Sequence, residues 1–280
     1  MRVYISVDME GIAGIATLDQ VTRGGHGYAR AQQLMTAETN AAIVGAFDGG
    51  ADAVTVNDSH GTMDNLLHED LDPRARLVFG TPKVDCMCEG LSSDFDVAFF
   101  LGYHAPAGAP GVLAHSYSST FGGVRLNGAP VSEAELNALQ AAAVGVPIGL
   151  LTGDDLICDI ARARFSGVHT VAVKTAHGFS AADSLSPAVA REAVRRAAQD
   201  AVTSGTYPSA EAPAGLTLEI DMPNPSAAEL GALIPTIERT GDLTLRGSFD
   251  SPREALGFIA VAGQLALVAL RARIALINRI

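Results

Sequence analysis

Arg2-Val3-Tyr4-Ile5-Ser6-Val7 is the first apolar segment of the chain, and Asp8-Met9-Glu10-Gly11 follows it directly. The apolar and β-branched residues of the first segment predict a buried β-strand. Residues two apart on an extended chain point to the same side, so Asp8 and Glu10 can address one point beyond the strand. Gly11 allows a sharp turn immediately afterwards. The sequence therefore predicts a strand that ends in two carboxylates.

Strand and helix patterns alternate along most of the 280 residues, which is typical of an α/β fold with a largely parallel sheet. Further strands are predicted at 53–56, 76–79, 96–101, 148–151 and 170–173, with a polar β-like stretch at 112–120. Helices are predicted at 28–47, from Ser132 to about Gly145, and from Ser186 to near Gly205. Ser132-Glu133-Ala134-Glu135 has the pattern of a capping box at the start of the second helix.

The chain divides into a main α/β domain at 1–205 and a C-terminal α+β segment at 206–280. A Ser/Pro/Ala-rich stretch near 206–213 marks the boundary. Strands at 216–220 and 243–245, a helix at 227–233 and a final helix from Ser251-Pro252 follow it. We expect this segment to form a small lobe of the same domain.

Composition excludes several classes of protein. The net charge of −12 argues against a nucleic-acid partner, which would need a basic surface. The N-terminus lacks the pattern of a signal peptide, and three cysteines suit a reducing compartment, so the expected location is the cytoplasm. The apolar run at 256–270 is shorter than the roughly 20 residues of a spanning helix and predicts a buried helix and no membrane partner. Lys83 and Lys174 are the only lysines beside many arginines, which we interpret as compositional bias.

Metal-type ligands follow three of the predicted strands. The first strand ends in Asp8 and Glu10, the second runs into Asn57-Asp58-Ser59-His60-Gly61, and a third runs into Gly102-Tyr103-His104. The carboxyl ends of parallel strands meet at one sheet edge, where ligands bind. Imidazole nitrogens and carboxylate oxygens are zinc ligands, and a bridging carboxylate can hold two metals about 3.5–4 Å apart. Glu133 is a candidate for one more ligand, although the helix dipole also stabilises an acid in the first turn.

Other polar residues have less specific patterns. His115 is either a proton carrier near neutral pH or a hydrogen-bonded strand histidine. Asp154-Asp155 follows a strand but has no histidine beside it, so it is a candidate for the wall of the crevice. Cys86-Met87-Cys88 lacks the spacing of a zinc or redox pair, which predicts buried thiols. His26, His68, His169 and His177 are isolated, and no phosphate loop, dinucleotide fingerprint or Gly-x-Ser-x-Gly elbow is present.

These residues together resemble a known family. Ser6-Val7-Asp8-Met9-Glu10-Gly11 is similar to the Ser-x-Asp-x-Glu-Gly signature of the zinc-dependent D-aminopeptidases associated with dipeptide-transport operons. The resemblance covers Met1 to about Gly178 and continues, in order, through Asn57-Asp58-Ser59-His60-Gly61, Gly102-Tyr103-His104, Ala114-His115 and Ser132-Glu133. It implies a three-layer α/β/α sandwich with a mixed sheet.

The resemblance also implies roles for individual residues. Asp8 would bridge two zinc ions in each subunit, Glu10 and His60 would complete one site, and His104 and Glu133 the other. His115 matches the proposed catalytic histidine of the family. The implied activity is hydrolysis of the N-terminal peptide bond of short D-amino-acid peptides such as D-Ala-D-Ala, in a homo-oligomer that resembles the family's decameric ring.

Two other functions remain open from the residues themselves. The same ligands would serve another binuclear metal hydrolase, either a phosphatase or an amidohydrolase, because ligand type fixes the metal better than the substrate. A non-catalytic dipeptide-binding protein is the third reading, and a binder would have no need of a metal-activated water.

Overall fold

The computed structural model of the protein describes residues 1–205, 207–208 and 215–277. The chain splits into two compact units, each built from separate stretches of sequence. The first comprises Met1–Ala105, Pro110–Leu113 and Asn137–Ala212, and the second comprises Pro106–Ala109, Ala114–Leu136 and Pro213–Ile280. The second unit thus takes in residues well before the predicted C-terminal segment. The predicted boundary between 205 and 206 stays a prediction, since residue 206 and residues 209–214 lie outside the described part of the chain.

The strands of the described residues are, in chain order, β1 (Arg2–Val7), β2 (Ala53–Asp58), β3 (Ala75–Val78), β4 (Val97–Tyr103), β5 (Gly123–Leu126), β6 (Ala129–Pro130), β7 (Ile148–Asp154), β8 (His169–Gly178), β9 (Ala181–Ser184), β10 (Leu216–Asp221), β11 (Ile237–Arg239) and β12 (Thr244–Phe249). The helices are α1 (Leu18–Val21), α2 (Tyr28–Asp48), α3 (Glu133–Ala143), α4 (Asp155–Arg164), α5 (Pro187–Ser204), α6 (Pro225–Gly231) and α7 (Pro252–Ile277). Short 3₁₀ turns lie at His68–Asp70 and Cys86–Cys88.

The first unit contains a seven-stranded sheet in the order β3-β2-β1-β4-β7-β8-β9. Its pairs are parallel except that of β8 with β9, which is antiparallel. In the central strands Ile5 of β1 lies opposite Val56 of β2 and Phe99 of β4. Nearly every residue of these strands is buried, as expected for a parallel sheet covered on both faces. The predicted mixed, largely parallel sheet is confirmed.

Helices cover both faces of this sheet. On one face, alternate residues of β1 such as Ile5 join a buried cluster with alanines of α2 and α5, and the small alanine side chains let these two helices pack closely. On the other face, the Tyr103 hydroxyl accepts a hydrogen bond at 3.0 Å from the amide of Asn137 in α3. Ser6 of β1 bonds the same hydroxyl at 2.7 Å. These contacts form the three layers that the resemblance implies.

The second unit contains a five-stranded antiparallel sheet in the order β11-β12-β10-β5-β6. Inward residues of β10 alternate with outward ones, so one face of the strand is buried. Helices α6 and α7 pack in this unit, α7 against α6, β10 and β12. The small C-terminal lobe expected from the sequence is therefore part of a larger unit.

The prediction of a buried helix at 256–270 is corrected by α7, which is a helix there but is only partly buried. The helix is longer than that run, and within the described residues the stretch Pro252–Ala272 is long and apolar enough to cross a membrane by length and composition alone. Only 39% of this apolar stretch is buried inside the structure. Val261 and Val268, seven residues apart and hence on one side of the helix, are both exposed.

One more prediction was wrong, and one helix was not predicted. The sequence predicts a β-like stretch at 112–120, but the structure has only an isolated bridge between Ser116 and Ser118 there. Leu113 and Tyr117 adopt positive φ angles of 52° and 59°, which break an extended strand. Helix α4 was not predicted, because its start at Asp154-Asp155 was interpreted only as a pair of crevice carboxylates.

Candidate metal centre

The predicted ligands of the first unit follow three neighbouring strands. Strands β2, β1 and β4 lie side by side, and Asp8, Glu10, His60 and His104 come at or just beyond their carboxyl ends. All four side chains are buried. Parallel pairing therefore brings together residues that are up to about a hundred positions apart in the sequence, as the motif order predicts.

Asp8 lies between the two histidines. Its Oδ1 is 3.2 Å from Nδ1 of His60, and its Oδ2 is 3.4 Å from Nε2 of His104. Glu10 lies on the His60 side, with Oε2 3.0 Å from the same Nδ1. The ligand atoms of Asp8, Glu10 and His104 also fall within 4.8 Å of one another. One carboxylate thus presents each of its oxygens to a different imidazole.

A close contact between two glycines brings these strand ends together. The amide of Gly11 donates to the carbonyl oxygen of Gly102 at 2.7 Å. A Cβ at position 11 would lie 2.1 Å from the carbonyl oxygen of Tyr103, and a Cβ at position 102 would lie 2.2 Å from that of Asp8. Gly102 also has a φ of +67°, in the left-handed region that favours glycine. Only glycine fits either position, so the turn after Asp8 and Glu10 lies directly on the segment that carries His104.

Each histidine is oriented by a backbone carbonyl. Nε2 of His60 donates to the carbonyl oxygen of Val21 at 2.8 Å, which directs Nδ1 at the carboxylates. Nδ1 of His104 donates to the carbonyl oxygen of Ala105 at 3.0 Å, which directs Nε2 at Asp8. A histidine that ligates a metal usually donates its other ring N–H in this way. Both the types of the ligands and the orientation of the two imidazole rings therefore fit a metal centre.

The electrostatics of the cluster favour a cation. Burial lowers the pKa of His60, but Glu10 and Asp8 outweigh it and hold that pKa well above its usual value. Two buried carboxylates next to one imidazole thus create a strongly negative point in a low-dielectric environment. Imidazole nitrogen and carboxylate oxygen are the donors that zinc takes in hydrolases. The residues present fit a zinc ion.

The second unit holds the other two predicted site residues. Glu133 is the first residue of α3 and is buried, and its Oε1 accepts from the backbone amide of Tyr117 at 2.5 Å and lies 3.8 Å from Nε2 of His115. The predicted capping box is confirmed, because Ser132 and Glu135 exchange hydrogen bonds at 2.9 and 3.2 Å. His115 therefore faces a carboxylate and does not lie in a strand. Its role as a proton carrier stays a prediction.

Asp154 and Asp155 have structural roles. Asp154 caps α4 by accepting from the amide of Ile157 at 2.9 Å, and it also accepts from the amide of Val112 at 2.9 Å. Asp155 accepts from the amide of Ala176 at 2.8 Å. These oxygens bind backbone donors, and the place of the pair along the crevice wall stays a prediction. Cys88 is buried as predicted, whereas Cys86 is only partly buried; Cys158 is buried as well.

The two lysines contradict their interpretation as compositional bias. Lys174, on β8, is buried and donates from Nζ to the carbonyl oxygens of Glu10, Ile12 and Ile15 at 2.6, 2.8 and 2.5 Å. Lys83 donates to the Asn57 side chain and to the carbonyl oxygen of Asp58, both at 2.6 Å. Each lysine therefore anchors a segment next to a predicted ligand. Their rarity was the only sequence signal, and it does not reveal long-range backbone partners.

Comparisons with known proteins identify the family of the chain. The family model described as D-aminopeptidase matches residues 1–261. The chain belongs to the D-aminopeptidase family. A curated member from Bacillus subtilis strain 168, named D-aminopeptidase, is 38% identical over 274 residues, which cover 95% of this chain and 98% of that protein. The predicted family is confirmed, and with it the prediction of a hydrolase of the aminopeptidase class.

A solved structure supports the fold. The chain superimposes on the Zn-dependent D-aminopeptidase DppA from Bacillus subtilis, described as a self-compartmentalizing protease, with a TM-score of 0.91 and 37% sequence identity. The match covers 95% of this chain and 98% of that one. The α/β fold predicted for this D-aminopeptidase family member is therefore confirmed over nearly its whole length.

Proposed function

We propose that the protein is a binuclear zinc aminopeptidase that removes the N-terminal residue from short D-amino-acid peptides such as D-Ala-D-Ala. The observation that carries the binuclear proposal is the placement of Asp8, whose two oxygens face His60 at 3.2 Å and His104 at 3.4 Å. A carboxylate so placed suits a bridge between two ions. Membership of the D-aminopeptidase family supports the substrate class.

The proposed ligands divide between two zinc ions per subunit. Asp8 is shared, Glu10 and His60 hold one ion, and His104 and Glu133 hold the other. The zinc dependence of the Bacillus subtilis relative supports the choice of metal. When bound, the ions act as Lewis acids on the scissile carbonyl and lower the pKa of the attacking water.

His115 is the proposed catalytic residue. Its imidazole is only partly buried, so it can exchange protons, and it lies 3.8 Å from the buried carboxylate of Glu133. A nearby carboxylate can orient an imidazole ring. In this role His115 delivers a proton to the departing amine as the peptide bond breaks.

We also propose that the protein works as a homo-oligomer in the cytoplasm. The Bacillus subtilis relative is described as self-compartmentalizing, and a decameric ring is the specific form that we propose. The exposed apolar side chains on α7, including Val261 and Val268, suit burial against a second copy of the chain. The three cysteines, all of them free thiols, agree with a reducing compartment.

The test is cleavage of D-Ala-D-Ala and L-Ala-L-Ala, side by side, by zinc-loaded protein, by protein stripped with a chelator, and by stripped protein given zinc again. We expect release of D-alanine from the D,D substrate alone, lost on stripping and restored by zinc. The stripped and reloaded samples serve as the control for irreversible damage.

Each other outcome points to a different function. Cleavage of the L,L peptide alone would support a metallopeptidase activity and refute the proposed preference for D-amino-acid peptides. Cleavage of neither peptide, with zinc-dependent turnover of a phosphate ester or a simple amide, would indicate another binuclear hydrolase. Tight binding of D-Ala-D-Ala by stripped protein without turnover would indicate a dipeptide-binding protein.

A further inference from the structure

A buried lysine supports the turn that carries Glu10. Lys174 belongs to β8, which is separated from β1 by β4 and β7 in the sheet, yet its side chain reaches the turn at residues 9–15. Its Nζ lies 2.6, 2.8 and 2.5 Å from the carbonyl oxygens of Glu10, Ile12 and Ile15. An ammonium group has three N–H donors, and a carbonyl oxygen only accepts. All three N–H donors of Lys174 are therefore bound to this one turn.

The three bonds fix the backbone where the direction of the Glu10 side chain is decided. The carbonyl of Glu10 belongs to the peptide that follows its Cα, so holding that oxygen restricts ψ of Glu10. In the same peptide unit, the amide of Gly11 donates to the Gly102 carbonyl oxygen at 2.7 Å. The peptide between Glu10 and Gly11 is thus bound at both its polar atoms.

A second buried residue completes the support. Glu38 of α2 accepts from the amide of Ala13, within the same turn, at 3.2 Å. The turn at 9–15 is consequently held from β4, from β8 and from α2. Of these anchors, Lys174 alone contacts the backbone of Glu10 itself and makes three charge-assisted bonds, which are the stronger kind.

We infer that Lys174 is a positioning residue for the metal centre: its three hydrogen bonds hold the turn at 9–15 so that the Glu10 carboxylate stays directed at the His60 side of the cluster. The inference rests on the proposed function in one respect, namely that Glu10 ligates zinc. Lys174 acts through the backbone of Glu10, because its three N–H donors are bound to backbone carbonyl oxygens.

The test measures zinc affinity of the full chain by competition with a chromogenic chelator. Lys174→Met keeps the length of the side chain and removes all three donors. We expect its affinity for one zinc ion to fall by about 10–100-fold, the usual cost of losing a residue that orients a ligand. If only affinity is lost, kcat at saturating zinc should recover towards the parent value while activity at limiting zinc stays low.

Asn40→Ala is the matched control. Asn40 also bridges backbone atoms, accepting from the amide of Asp72 at 2.8 Å and donating to the carbonyl of Asp70 at 2.7 Å, but the segment that it holds contains no proposed ligand and lies ten residues beyond His60. We expect this variant to lose thermal stability and to keep the parent zinc affinity. If Lys174→Met does not fold, Lys174→Gln, which retains an amide donor, is measured in the same way.

Parent-like zinc affinity in the folded Lys174 variants would overturn the inference and leave the lysine a purely structural role. The zinc titration needs no substrate, so the two proposals fail separately. Weakened zinc binding in the variant together with a parent that cleaves no D,D peptide would support the positioning role and refute the proposed substrate. Cleavage of the D,D peptide by the parent, with unchanged zinc affinity in the variant, would support the proposed substrate and refute the positioning role.

Discussion

Gly11 and Gly102 contact each other through their backbones, with the Gly11 amide 2.7 Å from the Gly102 carbonyl oxygen. A methyl group on either residue would lie within 2.2 Å of the backbone on the opposite side of the contact. This contact joins the turn after β1 to the end of β4, and therefore joins Asp8 and Glu10 to His104. The geometry of the cluster depends on two residues that have no side chain.

Gly11→Ala should destabilise the protein and weaken metal binding together. The new Cβ would lie 2.1 Å from the Tyr103 carbonyl oxygen, which belongs to a buried strand and cannot move cheaply. We expect a loss of roughly 1–3 kcal/mol in the free energy of unfolding, as for other overpacked sites. Urea denaturation and zinc titration measure the two effects.

Gly257→Ala is the control for that substitution. Position 257 lies in α7, and a Cβ there would meet nothing within 4 Å. Alanine favours a helix over glycine by about 1 kcal/mol, so this variant should be equal to the parent or more stable, with unchanged zinc binding. Equal behaviour of the two variants would refute the importance of the close contact.

Asp8→Ala should release both zinc ions, because Asp8 faces both histidines and no other proposed ligand does so. The zinc content per subunit, measured by atomic absorption after gel filtration, should fall from two to zero. Asp94→Ala, on an exposed residue, should keep the full complement. Retention of both ions by Asp8→Ala would show that this carboxylate is not a bridge.

His115→Ala should lower kcat and leave the zinc content intact. Loss of a proton-transfer group typically costs about 10²–10⁴-fold in rate. Turnover of D-Ala-D-Ala and metal analysis of the same sample distinguish the possible roles. A variant that loses zinc along with activity would identify His115 as a ligand.

Glu38→Gln should change the pH dependence of stability. Burial raises the pKa of Glu38 from 4.5 to about 7, although the Ala13 amide and Lys174 oppose this shift. The folded state therefore binds the proton more tightly than the unfolded state, and the free energy of unfolding falls as the pH rises through this window. Glutamine does not titrate, so the variant should not lose stability over this pH range. Its side-chain oxygen can still accept a hydrogen bond from the Ala13 amide.

The stability of Glu38→Gln relative to the parent should accordingly improve between pH 4.5 and pH 8, by at most about 3 kcal/mol for a shift of this size. Urea denaturation at the two pH values measures it. The same stability difference at both values would contradict a buried, proton-binding Glu38.

Val268→Glu should weaken the proposed oligomer. Val268 is 58% exposed on α7, and a charge buried at an interface between copies is costly. Light scattering after gel filtration should show a smaller assembly than for the parent, with an unchanged circular-dichroism spectrum. Arg253→Glu, on an exposed residue near the start of the same helix, lowers the net charge by two units against one for Val268→Glu, and so is a stringent control for added negative charge. An assembly of parent size in Val268→Glu would exclude this face as the interface.

The local patterns of the sequence were sufficient for much of the first unit. The apolar run at Arg2–Val7 predicts a buried strand from its own residues alone, and its predicted bounds agree with β1. The same holds for the pattern of ligands after strands, because the carboxyl ends of adjacent parallel strands must share an edge. The capping box at Ser132 was equally readable, since its partners are three residues apart.

Where a residue's role depended on distant backbone, the sequence was insufficient. The positive φ at Leu113 and Tyr117 follows from packing, so an alternating pattern there wrongly predicted a strand. Asp154 was interpreted from its neighbours in sequence, while its oxygens bind the amides of Ile157 and, 42 residues away, Val112.

The sequence by itself determined the alternating α/β order, the family and the identity of the candidate ligands, because each depends on short motifs whose chemistry is local. Only the tertiary structure decided that Asp8 faces two histidines, that Gly11 and Gly102 pack backbone to backbone, and that Lys174 holds the turn of Glu10 from a strand 164 residues away. These relations join atoms on different strands. They arise from sheet order and close packing, which no single stretch of sequence encodes.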